Sequence, residues 1–190
     1  MTLLDQLKNL RDEPDFRTQR TLSRQLAATI GNLRGEWLRF LGGEQDKNLT
    51  IQALEIIAAS QDESFAPAIQ KLLLSRAPVE VLQTAATVLG KLRSQHSFQT
   101  LVHLLQHENP NVRLGVVYGL LALGEKQAVP YLLNSLDDGN QVKCWWPSPK
   151  AGGYTVSKEA SLAIDALTGL SLHGDKTRIK QWINDNLNRK

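Results

Sequence analysis

His103 and His107 stand four residues apart, a spacing that puts two imidazoles on one helical face, where they could share a metal ion. Positions 104–106 read Leu-Leu-Gln, so the glutamate of a hydrolytic HExxH site is missing, and Glu108 is the adjacent carboxylate able to serve as a third ligand. Solvated helix-face histidines are the commoner case, and no metal is expected. Cys144 has Lys143 beside it, a neighbour that favours the thiolate, but no histidine adjoins it in sequence to act as a base. As the single cysteine it excludes an intrachain disulfide and any paired-cysteine metal site. No glycine-rich phosphate loop stands at a strand–helix junction. The expectation is therefore no catalytic residue and no cofactor.

Residue types suited to binding are more conspicuous. Cys144-Trp145-Trp146-Pro147, followed by Lys150 and Gly152-Gly153-Tyr154, is unlike a passive connector. Adjacent tryptophans present large contact area at low entropic cost. The alternative is that one of them folds back as a plug on the neighbouring helices.

The elements that must position these groups follow from a repeated frame. It reads Val81-Leu82-x-x-Ala85-Ala86-x-Val88-Leu89-Gly90-x-Leu92, and returns as Val112-Arg113-x-x-Val116-Val117-x-Gly119-Leu120-Leu121-x-Leu123-Gly124. Residues 81 and 112 are 31 apart, and a period in that range signals stacked structural repeats. Shifted back by 32, the frame meets Leu49, Ala53, Leu54, Ile56 and Ile57, with Ser60 where a core leucine is expected. Shifted forward by 44, it meets Val156, Ala160, Ser161, Ala163, Ile164 and Leu167. The difference between 44 and 31 is an insertion of 13 residues between Asp138 and Tyr154, where glycines and prolines forbid a regular helix.

Each framed helix has a partner before it, starting at Phe65, Phe98 and Val129, with Pro67 and Pro130 in first turns where a missing N–H costs nothing. Strand signals are nearly absent. One helix pair cannot cover its own apolar face, and stacking merges those faces into one core. The chain reads as a single domain, 1–190. Residues 1–45 are an N-terminal helical cap or divergent repeat, with a second helix starting near Asp15. Residues 46–170 hold the repeats with the loop insertion at about 139–154, and 171–190 form a C-terminal capping helix. Asp175 caps that helix, and Ile179, Trp182, Ile183 and Leu187 line one side of it.

At the framed residues the chain resembles HEAT repeats, particularly the short bacterial kind also called PBS-lyase HEAT-like repeats. Val112-Arg113, Leu120, Leu123 and Gly124 carry the best match, with valines at 116 and 117 in place of the usual alanines; Leu82 departs from the expected arginine. The resemblance spans about residues 45–170. It implies an all-α fold, a right-handed α-α superhelix of HEAT/armadillo type with about four to five helical hairpins. It implies that Arg113 ties neighbouring units by bonding carboxylates or helix-end carbonyls. It also implies a concave surface lined by the second helices, so that Gln83, Thr84, Thr87 and Lys91, then Leu114, Tyr118 and Ala122, then Lys158, Glu159 and Leu162 face outward. The expected partner-binding residues are Tyr118, Leu114, Trp145, Trp146, Lys158, Gln83 and Thr87.

Such arrays mostly act as protein-interaction scaffolds, the function expected here, with another protein as partner. The alternative the resemblance raises is a subunit of a phycobilin lyase, acting on a bilin or a phycobiliprotein. A second alternative is a HEAT-like nucleic-acid-binding protein of the glycosylase kind, for which Glu159 near Trp145 and Trp146 is the carboxylate available. Net charge is +3, with 22 basic and 19 acidic residues, a bias too mild to argue for nucleic acid by itself. Residues 141–190 carry eight of the basic groups and four of the acidic ones. No stretch nears the roughly 20 apolar residues of a membrane span, and the first residues read as an amphipathic helix rather than a signal peptide. A cytoplasmic monomer of bacterial type is the expectation.

Overall fold

Helix-start chemistry punctuates the chain from its first residues. In the computed structural model, which describes residues 2–43, 46–94, 96–142 and 154–188, Thr2 and Asp5 form a reciprocal capping box for α1, Leu3–Asp12. Asp15 caps α2, Phe16–Thr29, as the sequence leads one to expect, and Asp46 caps α4, Lys47–Ser60, which follows α3, Arg34–Gly42. The next pairs are α5, Ala66–Leu73, with α6, Val79–Lys91, and α7, Ser97–Leu104, with α8, Pro110–Leu123. Then come α9, Val129–Ser135, α10, Val156–Thr168, and α11, Lys176–Asn186, capped by Asp175. Gly124 and Gly169 close α8 and α10 at φ of 79° and 73°, a left-handed conformation that glycine adopts without a Cβ penalty.

The helices stack in two layers. The second helices α2, α4, α6, α8 and α10 pack each against the next. The first helices form the other layer, through contacts of α1 with α3, α3 with α5, α5 with α7, and α9 with α11. The Phe98 and Tyr131 rings, 5.8 Å apart edge to face, tie α7 to α9. One hydrophobic core runs from Leu3 to Trp182 between the layers. Residues 1–45 therefore hold a hairpin, α1 with α2, and the first-layer helix α3, all sharing that core. Trp182 of α11 is buried, with Ile183 and Leu187 packed half-buried against the core.

A two-residue antiparallel ladder stands where no strand is expected. Strands β1, Gln141–Val142, and β2, Tyr154–Thr155, pair Gln141 with Thr155 and Val142 with Tyr154. Two residues a side leave no alternation for a sequence pattern to reveal. The ladder clasps the two ends of the insertion, with β1 against α8 and β2 against α10. Trp145 and Trp146, like Cys144, lie outside the described residues.

The second-helix layer is tightest between α6 and α8. A Cβ on Gly90 would lie under 3.0 Å from the Gly119 backbone, and one on Gly115 would meet the Gln83 backbone equally closely. A Cβ on Gly119 would come within 2.5 Å of the Ala86 carbonyl oxygen. The two helices touch backbone to backbone along a glycine seam, which removes the space that a side chain needs to turn outward.

Candidate functional site

That seam decides which frame positions can meet a partner. Leu114 is fully buried, and Gln83 is 7% exposed with its Oε1 unbonded among the described residues. Both were expected on the open concave surface. Instead, the close approach of α6 and α8 folds them into the contact, so they are packing residues. Thr87 is half-buried, its hydroxyl donating to the carbonyls of Gln83 at 3.2 Å and Gly115 at 3.3 Å.

What stays open is a ridge of matched frame positions, Glu55, Thr87, Tyr118 and Leu162, one from each of α4, α6, α8 and α10. Leu162 is 54% exposed, and Lys158, one turn before it, is exposed too, as is Lys91 on α6. Tyr118 lies half-buried between them, and its hydroxyl donates to Glu159 Oε2 at 3.0 Å. Glu159, expected to face outward, is 8% exposed. It occupies the frame position that Gly115 fills on α8, so its side chain has a neighbouring helix to lie against. Tyr118→Phe strips this buried carboxyl of its phenol donor and is expected to cost about 1.5 kcal/mol, read as a lowered urea midpoint. An unchanged midpoint would mean that water replaces the phenol at no loss.

Glu55 was not singled out by sequence reasoning, although subtracting 32 from Thr87 reaches it. Burial of its carboxyl pushes the group above the usual glutamate range, with Lys91 partly opposing this, although the residue as a whole is exposed.

Arg113 behaves as its frame position implies. Its Nε donates to Asp138 Oδ2 at 2.6 Å, and its Nη1 donates to the carbonyls of His107 at 2.7 Å and Glu108 at 2.9 Å. One guanidinium thus joins the start of α8, the turn before it and the turn after α9. Burial pushes the Asp138 carboxyl up, but the hydrogen bonds from Arg113 and Asn140 outweigh it and hold the group below the usual aspartate range.

The two histidines do not share one helix, since α7 ends at Leu104 and His107 lies in the turn before α8. His107 Nδ1 accepts the Asn109 N–H at 3.0 Å, inside the turn that Asn109 forms to cap α8. Among the described residues no three His, Cys, Asp or Glu side chains are grouped so as to hold a metal ion. Among those residues no helix is long and apolar enough to cross a membrane.

Paired helices in two layers, one continuous core and a basic residue bridging consecutive units define the chain as an all-α solenoid of HEAT type. Residues 66–143, which span α5 to β1, match the family model for HEAT repeats. No curated protein matches the chain.

Proposed function

We propose that this chain is a non-catalytic protein-interaction scaffold that seats its partner on the second-helix face, around Tyr118, Leu162 and Lys158. The observation that carries this reading is Leu162. It is a leucine 54% exposed on the one wall of the array to which an insertion is also clasped. Large exposed apolar side chains beside a half-buried tyrosine and a lysine have the composition of a contact centre with a polar rim. Trp145 and Trp146 belong to the same proposal, since β1 and β2 deliver the ends of their segment against α8 and α10. HEAT repeats commonly serve as protein-interaction scaffolds, which supports the class of function.

The test is site-specific photocrosslinking in the source cell. A photoreactive residue at Leu162 is expected to trap one defined protein, which is lost with Trp145→Ala/Trp146→Ala, while the same group at the exposed first-layer position Gln127 traps none. Equal trapping at both positions would refute the concave-face reading. Mixing the protein with free bilin tests the lyase-type alternative. An unchanged absorbance spectrum is expected, and a new band would move the function to bilin chemistry.

A further inference from the structure

We propose a second docking site nearer the N-terminal end of the array, an apolar groove that takes an acidic peptide segment of a partner protein. The groove, of about 610 Å³, lies where α3 and α5 end and α4 and α6 begin. Its walls are Leu38, Leu41, Leu72, Ala77 and Val81. Among the described residues its charged lining residues are Lys71 and Arg76. Neither cation is paired with a carboxylate among the described residues, and the nearby Glu80 is bonded to Lys47 at 2.9 Å. Leu74, 75% exposed, follows α5 directly.

The polar inventory of the groove selects the occupant. A small-molecule site needs a few fixed polar groups to orient its ligand. Here the Thr50 hydroxyl is spent on the Asp46 carbonyl, and the Ser75 hydroxyl donates to the Leu72 carbonyl and accepts from the Ala77 N–H. What remains is an apolar floor with two long cationic side chains at the rim. That suits leucine-like side chains flanked by aspartate or glutamate, held by burial at the centre and by charge at the edge.

Selection from a displayed library of random twelve-residue peptides tests this, followed by fluorescence anisotropy on the selected peptide. Enriched peptides are expected to carry two or more apolar residues flanked by Asp or Glu, and to bind more weakly as salt rises. Lys71→Glu/Arg76→Glu should weaken binding at least tenfold with an unchanged helical circular dichroism spectrum. Ala68→Trp, which fills the groove without touching charge, should do the same. Leu162→Glu should leave the peptide affinity intact, which separates this site from the concave face. Enrichment without acidic residues, affinity within twofold in the charge-reversed protein, or recovery of no peptide would each overturn the proposal. Uptake of dodecanoate in place of any peptide would assign the groove to an acyl ligand and overturn it equally.

Discussion

Gly90→Ala is expected to destabilise the protein by about 3–4 kcal/mol, lowering Tm by about 10 °C. Two effects of opposite sign compete at this position. Alanine is the better helix former by about 1 kcal/mol, and in an exposed helix interior that alone would raise stability. Here the added Cβ meets the Gly119 carbonyl and Cα, which are backbone atoms with no rotamer to change. The clash can be relieved only by moving α8 away from α6, and that motion loosens Leu114, Val117 and the other side chains packed along the seam. Gly31→Ala is the matched control. Nothing lies within 4 Å of its Cβ position, so the expected change is below about 1 kcal/mol and favourable. Differential scanning calorimetry of the two variants reads the contrast. A Gly90→Ala protein as stable as wild type would mean that the seam has room to spare.

Arg113→Ala should cost about 3 kcal/mol, because it leaves the part-buried Asp138 carboxylate without its cation and two carbonyls without their donor. The loss has a defined pH dependence. Asp138 titrates below its unfolded value in the folded protein, so its contribution is present in full above the unfolded pKa, about 3.9. It is lost as pH falls through the folded value. The gap between wild type and Arg113→Ala in urea melts should therefore be constant from pH 7 to pH 5 and narrow below pH 4, leaving the share of the two carbonyl bonds. A gap that persists unchanged at pH 3 would place the stabilisation in the carbonyl bonds alone. Arg113→Lys should recover only part of it, since an ammonium cannot reach a carboxylate and two carbonyls in one planar fork.

These effects were unequally legible in the amino-acid order. The repeat frame is a local pattern, so it located α4, α6, α8 and α10 and the insertion between Asp138 and Tyr154. Capping by Asp175 and a helix start near Asp15 could be read for the same reason, since a cap needs only the next three residues. The exposure of Leu114, Gln83 and Glu159 could not be read this way. It depends on how closely two helices approach, and that distance is set by which glycines face each other across them. Gly90 and Gly119 appear in the frame as ordinary consensus positions. Gly115 falls between consensus positions, and nothing in its own neighbourhood announces that it meets Gln83. The groove beside Lys71 was invisible for a related reason, being built from segments around residues 38–43, 50 and 68–81 that meet only after folding.

The glycine seam also limits how this array could be edited. Repeats are often treated as interchangeable modules that can be duplicated, deleted or shuffled. The frame places Ala58 and Leu121 where Gly90 stands, and Val88 and Ala163 where Gly119 stands. Among the framed helices, then, only the α6–α8 junction has glycine on both sides. The α7–α8 unit carries a receiving face shaped for α6 and a donating face, with Tyr118, shaped for Glu159 on α10. Copied next to itself, it would set Leu121 against Gly119, a mismatch that no shift of a single side chain relieves. The order of these units is thus fixed by their junctions, and the two that meet at the glycine seam cannot trade places with their neighbours.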